Sequence, residues 1–246
     1  MKIAGIIPAR YGSSRLPGKP LMDICGKPMI YRVYSQVKKA KKLDEIYVAT
    51  DDKRIEDVCK KYVIPVVMTS SSHTTAANRL QEVSERIQAD FYLQLNGDEP
   101  LIDPQIIDAA IPKEVITDIE FGTNIITEMH NPVEVNDISN IKMVFDEDFN
   151  ALYMSRTPIP FPFKTLEYVY YKHVGIIGYN KKMLDFYKNS VPGRFEKIEG
   201  IDTLRFIDYG KQLKLYKVES CKSLSVDTDK DLQMVRKIFL ERKIDE

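Results

Sequence analysis

The sequence predicts an α/β protein: a doubly wound, mostly parallel sheet with an inserted mixed or antiparallel β-rich portion. Three observations predict it. Over the first hundred residues, short apolar runs alternate with amphipathic stretches at the pace of βαβ units. Between about residues 120 and 190 the apolar runs succeed one another with little helical periodicity between them. Beyond 190 the α/β alternation returns. The 246 residues are expected to form a single domain, 1–246, with 120–190 as the β-rich insert.

Each element has a local reason. Ile3–Ala9 is a continuous apolar run, as in a strand buried on both faces. From Pro28 to about Lys42, Met29, Ile30, Val33, Tyr34 and Val37 recur at helical spacing, and lysines close the last turn. Glu45–Thr50 is strand-like; Asp51-Asp52 then open a helix through Lys61. Val63–Met68 is a third strand. Thr74–Gln88 is a helix with Leu80, Val83 and Ile87 on one face, and Phe91–Asn96 a fourth strand. Alternation of this kind implies right-handed crossovers and a parallel sheet. Phe121–Met129, Asn140–Asp146, Ala151–Ser155 and Tyr168–Tyr179 read as strands. The loop Thr157–Lys164 holds Pro158, Pro160 and Pro162 and cannot be a central strand. A helical stretch over Arg194–Tyr209, a strand at Gln212–Glu219 and a helix from Thr228 to about Lys243 complete the chain. In that helix Leu232, Val235, Ile238 and Phe239 form the apolar face.

Composition narrows the function. Lys plus Arg is 36 and Asp plus Glu is 36, so no overall field draws the chain to nucleic acid or anionic lipid, and any positive patch is local. No stretch reaches the ~18 apolar residues of a membrane span. Cys25, Cys59 and Cys221 are far apart and odd in number, which fits a reducing compartment and a cytoplasmic protein.

Ligands of open parallel sheets bind beyond the carboxyl ends of the strands. The loop leaving the first strand, Ala9-Arg10-Tyr11-Gly12-Ser13-Ser14-Arg15-Leu16-Pro17-Gly18-Lys19-Pro20, is therefore the place to look. Arg10, Arg15 and Lys19 lie among two glycines and two small hydroxyls, the composition that grips phosphate. It is neither a P-loop nor G-x-G-x-x-G: five residues separate Gly12 from Gly18, and Pro20 stands where a P-loop has Ser or Thr. The bland alternative is a solvated basic turn. At the end of the fourth strand, Asn96-Gly97-Asp98-Glu99-Pro100 brings Asp98 opposite that loop, a carboxylate suited to magnesium between phosphate oxygens. An isolated Gly-Asp would be a plain turn or a cap. Glu99 reads as a cap or brace. In Val226-Asp227-Thr228-Asp229, Asp227 or Thr228 is by local sequence an N-cap, yet Asp98 and Asp227 are also able to share one metal.

Taken together these segments resemble the 3-deoxy-manno-octulosonate (Kdo) cytidylyltransferases, or CMP-Kdo synthetases. The resemblance is carried by Ile7-Pro8-Ala9-Arg10-Tyr11, Ser14 through Leu21, Gly26-Lys27-Pro28-Met29-Ile30, Val48-Ala49-Thr50-Asp51 and Gly97-Asp98-Glu99-Pro100. It continues through Ala151-Leu152-Tyr153, Ser155-Arg156, Ile159-Pro160, His173 with Gly175-Ile176 and Gly178-Tyr179, Leu204-Arg205, and Val226-Asp227-Thr228. It runs the length of the chain. It implies a nucleotidyltransferase using CTP and Mg2+, releasing pyrophosphate, acting in lipopolysaccharide biosynthesis, and forming a homodimer through the β-rich portion. By the resemblance, Ala9, Arg10, Gly12, Ser13, Ser14, Arg15, Lys19 and Arg79 bind nucleotide. Arg10, Lys19, Asp98 and Asp227 are catalytic, the two aspartates holding the metal. Asn96, Arg156, His173, Asp202 and Thr203 bind the small acidic acceptor.

The chain departs from the family at defined places. His-Gln-Ser-Gly-Thr is replaced by His73-Thr74-Thr75-Ala76-Ala77, Gln-Gly-Asp-Glu-Pro begins with Asn96, and Glu-Gln-Leu-Arg reads Asp202-Thr203-Leu204-Arg205. Shorter side chains withdraw each polar head by roughly one bond, enough to break a hydrogen bond. The acceptor is then Kdo or a related acid, among them 8-amino-Kdo, a nonulosonic acid or a phosphonate. Two rivals are a nucleotide-sugar glycosyltransferase, which would show Asp-x-Asp where Asp98 has none, and a non-catalytic nucleotide sensor. Of the histidines, His130 reads as a loop residue, His173 as a core or acceptor histidine, and His73 as a helix cap or base contact; none has zinc-site spacing.

Overall fold

In the computed structural model, which describes residues 1–12, 16–165, 167–221 and 224–242, the first apolar run is strand β1 (Ile3–Ala9). Its alternating side chains feed two separate cores: Ile3, Ile7 and Ala9 enter one, Ala4 and Ile6 the other. A short 3-10 turn (Lys19–Leu21) and the small pair β2 (Asp23–Ile24) and β3 (Lys27–Pro28) lead into α1 (Met29–Val37). Then come β4 (Glu45–Thr50), α2 (Lys53–Lys61), β5 (Val66–Met68), α3 (Ala76–Arg86) and β6 (Phe91–Gln94). The predicted start of α2 is explained by its cap: the Asp52 carboxylate accepts from Arg54 N.

The second half comprises α4 (Pro104–Ala109), β7 (Phe121–Met129), α5 (Pro132–Asn136), β8 (Lys142–Phe145), β9 (Ala151–Ser155) and β10 (Tyr170–Tyr179). It closes with α6 (Lys181–Asn189), α7 (Arg194–Glu199), α8 (Leu204–Asp208), β11 (Gln212–Val218) and α9 (Asp229–Arg242). One nine-stranded sheet runs in the order β11-β7-β10-β6-β1-β4-β5, with β8 and β9 continuing from β10. Strands β6, β1, β4 and β5 are mutually parallel, as are β7 and β11. Strand β10 lies antiparallel between β6 and β7. Helices α1, α2, α4 and α9 pack on one face and α3, α6 and α8 on the other.

The structure adds to the expectations at two places and corrects one. The span 181–189, to which the sequence pattern assigns no element, is helix α6, which buries Met183, Leu184 and Tyr187 against α3. The helix expected over Arg194–Tyr209 is two helices, because Gly200 adopts φ 63° and ends the first. The β-rich stretch joins the same sheet: among the described residues β7 and β10 are interior strands of it, and the β8–β9 hairpin projects.

Candidate active site

Strands β1 and β6 are parallel neighbours, with Ile6 opposite Gln94, so their carboxyl ends leave the sheet side by side. A Cβ on Gly97 would stand 2.7 Å from the Pro8 carbonyl oxygen, so this close approach requires glycine. Between the two strand ends and the start of α3 opens a cleft of about 480 Å³, a ligand-sized volume. Ala9, Arg10 and Gly12 line it from the first loop, Lys19 from the 3-10 turn, and Thr75, Ala76 and Arg79 from α3. Asn96 and Asp98 close it beyond β6, and Asp227 does so ahead of α9.

Lys19 organises the floor. Its ammonium donates to Asp98 Oδ2 at 2.8 Å and to Asp227 Oδ1 at 2.9 Å. Burial works against its charge, but the two carboxylates outweigh burial and hold it above its ordinary range. A backbone bond from Val226 N to Asp98 O, 2.9 Å, ties the two aspartate segments together. The competing cap reading for this segment falls to Thr228. Its hydroxyl accepts from Asp231 N while Asp231 Oδ2 accepts from Thr228 N, a reciprocal cap that leaves the Asp227 side chain to Lys19.

Arg79 is 1% exposed, yet it lines the cleft. Its guanidinium donates to the Thr69 hydroxyl and stands 3.3 Å from Asp51 Oδ2. Sequence reasoning read Asp51 only as a helix opener; the tandem Asp51-Asp52 divides the work, one residue pairing Arg79 and the other capping α2. Thr75 caps α3, whose amino end therefore faces the cleft. Arg10 extends across to the Thr74 carbonyl, 3.5 Å away. Asn96 Nδ2 donates to Glu99 Oε1 at 2.7 Å, which gives Glu99 the bracing role.

Ala9, Arg10, Gly12, Lys19, Arg79, Asn96, Asp98 and Asp227 are thus gathered at one cleft. Ser13, Ser14 and Arg15 lie outside the described residues. Arg156, His173, Asp202 and Thr203 do not line the cleft. The Arg156 guanidinium is engaged by the carbonyls of Glu199, Ile138 and Gly200, and its own carbonyl accepts from the buried Lys142. Thr203 is buried and its hydroxyl faces Met154 Sδ at 3.3 Å. His173 Nδ1 is 2.6 Å from Asn124 Oδ1. The Asn124 amide donates to the carbonyls of Val174 and Ile176, so its oxygen is the acceptor and His173 carries its proton on Nδ1. Burial, aided by the Lys172 charge, lowers this imidazole to about 4. His73 pairs with Glu82 at 2.6 Å rather than reaching the cleft.

Asp98 and Asp227 bring two hard-oxygen carboxylates to the cleft, joined through the Lys19 ammonium, the donor type that magnesium takes together with phosphate oxygens and water. Among the described residues no group of three or more His, Cys, Asp or Glu is able to cage a metal unaided. The donor set therefore suits a cation that arrives with a polyphosphate.

Comparison with known proteins gives the family. The sequence profile of the cytidylyltransferase family matches residues 4–223. The chain is 41% identical over 249 residues to the 8-amino-3,8-dideoxy-manno-octulosonate cytidylyltransferase of Shewanella frigidimarina, covering 100% of both chains. It is 40% identical to the enzyme of that name from Shewanella piezotolerans, across 95% of this chain and 97% of the other. Its fold is similar to that of a CMP:2-keto-3-deoxy-manno-octonic acid synthetase complexed with CTP, with a TM-score of 0.92 and 34% identity over 98% of this chain and 100% of that one. The chain belongs to the cytidylyltransferase family and is a CTP-dependent nucleotidyltransferase.

Proposed function

We propose that the protein transfers CMP from CTP to a 2-keto-3-deoxy sugar acid of the Kdo type, the 8-amino form being its acceptor. The observation that carries the transfer is the junction of Lys19 with Asp98 and Asp227 in the cleft that also holds Arg10 and Arg79. The acceptor is supported by the printed names of full-length relatives about 40% identical to this chain.

The anomeric hydroxyl of the acid attacks the α-phosphorus in line. A new oxygen–phosphorus bond forms as the bond from the α-phosphorus to the α–β bridging oxygen breaks; the attacking hydroxyl releases its proton to solvent, and pyrophosphate leaves with the bridging oxygen's electron pair. Arg10 and Lys19 neutralise the triphosphate as charge builds on the leaving group. The amino end of α3 and Arg79 orient the nucleotide, and positioning supplies much of the acceleration. Asp98 and Asp227 would hold Mg2+, which when bound draws charge from the α-phosphate and acidifies the attacking hydroxyl.

Pyrophosphate release from CTP, with each acceptor added in turn, tests the reading. Release is expected with 8-amino-Kdo and more weakly with Kdo; release from neither, or equally well with nonulosonic acids or phosphonates, would refute the acceptor. We also assign the protein to the cytoplasm as a homodimer built through residues 120–190. In support, Cys25 and Cys59 are free thiols, and Phe161 and Phe163 are more than four-fifths exposed. Among the described residues no helix is long and apolar enough to cross a membrane. Sedimentation velocity of the wild type against Phe161→Ser/Phe163→Ser, expected to sediment as a monomer, checks the assembly.

A further inference from the structure

Asn124 lies in the interior strand β7 and is wholly buried. Each polar atom of its side chain is bonded to β10. The amide donates to the carbonyls of Val174 and Ile176, both at 2.8 Å, and the oxygen accepts from His173 Nδ1 at 2.6 Å. A buried amide is costly unless its donors and its acceptor are all met. Here they are met by the segment 173–176 alone, so Asn124 fixes the path of that segment.

The segment is a bulge. The pairing of β10 with β7 steps from Val174 opposite Ile125 to Ile177 opposite Asn124, which inserts Gly175 and Ile176 as extra residues on β10. On its other side β10 pairs with β6, Ile177 opposite Gln94, so the bulge runs beside the chain that leaves β6 for the cleft. Gly175 packs there so tightly on Asn96 that a Cβ would collide with the Asn96 amide. The same amide donates to Glu99 Oε1 at 2.7 Å, and Asn96 lines the cleft. Contact thus passes across three neighbouring strands, from a buried amide in β7 through the bulge to a side chain in the site.

We propose that Asn124 is a positioning residue for the acceptor. By pinning the carbonyls on either side of Gly175 it holds the bulge against Asn96, and so sets where the Asn96 amide stands in the cleft. Bulges re-aim side chains beside active sites, and an amide misplaced by a fraction of an ångström loses its hydrogen bond. The assignment deepens the reading above, and rests on it for the sugar acid as the molecule that Asn96 meets. Without the Asn124 amide the two carbonyls lose their donors, the bulge is free to shift along β10, and Asn96 follows it. Arg10, Lys19 and Arg79 line the cleft from other elements and keep their places.

The test measures KM for CTP and KM for the sugar acid, 8-amino-Kdo or Kdo, whichever the wild type uses better. Wild type, Asn124→Ala, Asn96→Ala and the double variant are compared, with magnesium and the other substrate saturating. Asn124→Ala is expected to raise the sugar-acid KM about tenfold and to leave that for CTP within twofold. In the Asn96→Ala background the same substitution should add less than twofold, because the side chain through which it acts is gone. An unchanged sugar-acid KM, equal rises in both KM values, or effects that multiply in the double variant overturn the assignment. Should Asn124→Ala fail to fold, Asn124→Asp is judged by the same criteria. It keeps the volume and the oxygen facing His173 but gives up at least one of the two amide bonds. Failure of the acceptor reading shows separately, as a wild type that releases pyrophosphate with neither sugar acid. The assignment is then decided by the Asn96 side-chain amide signals in proton–nitrogen correlation spectra, identified by their loss in Asn96→Ala. Displaced signals in the Asn124 variant uphold it, and signals at their wild-type positions overturn it.

Discussion

The Arg54 guanidinium carbon lies 3.2 Å from the centre of the Tyr11 ring, and the same guanidinium grips Asp52 through Nε at 2.9 Å and a terminal nitrogen at 2.7 Å. Tyr11 in turn accepts from Gly18 N through its backbone oxygen at 2.9 Å, which closes the cationic loop ahead of Lys19. Arg54 thus clamps the loop from outside the cleft. Arg54→Ala is expected to raise KM for CTP about three- to tenfold with kcat nearly unchanged, and to alter unfolding free energy by less than ~1 kcal/mol because the side chain is largely exposed. Steady-state kinetics at varied CTP decide it; an unaltered KM would remove the clamp from the account.

Replacing Lys19 by Met leaves two carboxylates facing one another without their shared cation. Lys19→Met and Asp98→Asn are each expected to reduce kcat on the order of 10²–10³ at saturating CTP and magnesium. Single-turnover pyrophosphate release measures this, and wild-type turnover in either variant contradicts the assigned floor.

Gly175 faces Asn96 so closely that a Cβ there would collide with the Asn96 amide. The Asn96 side chain is flexible and able to yield, so Gly175→Ala should fold. The displaced amide loses its bond to Glu99, and KM for the acceptor should rise about tenfold. A normal melting temperature with raised acceptor KM is the expected pair of results. Unchanged kinetics would take Asn96 out of the acceptor side.

Glu196 and Arg205 form a buried bidentate pair, with side chains 10% and 6% exposed. Glu196→Gln strands the guanidinium and should cost about 3–5 kcal/mol, read from urea unfolding. A midpoint equal to wild type would show that the carbonyls of Tyr187 and Ser190 suffice.

His173 gives a pH signature. Its imidazole is lowered from 6.5 to about 4 by burial and then by Lys172, so the folded protein holds it neutral while the unfolded chain takes up a proton. Stability from this group is complete above pH ~6.5, declines as pH falls, and is gone below about 4. The whole effect is at most ~3 kcal/mol. Unfolding free energies at pH 7 and 5 should differ less in His173→Gln than in wild type; parallel slopes would count against it.

The sequence made the nucleotide half legible because each signal there is local. The two-faced run Ile3–Ala9, the Asp52 cap and the apolar stripe of α3 all report on neighbours within a few residues. The cationic loop and the two aspartates were readable as chemistry, while their meeting at Lys19 depends on 208 residues of intervening fold. The acceptor side was less legible. Arg156 carries the residue type of an anion-binding group, but three carbonyls claim its guanidinium. Helix α6 hides in a short segment whose apolar residues Met183, Leu184 and Tyr187 follow directly on a tyrosine-rich strand. The pairing of β10 with both β6 and β7 is a choice among strands that no local pattern records.

Asp227 follows β11 in the chain, after every described strand of the sheet. A nascent polypeptide can therefore complete its sheet while still lacking half of the seat beneath the triphosphate. A chain cut between β11 and Asp227 would keep every described strand of the sheet, and under the proposed assignment it should be inert toward CTP.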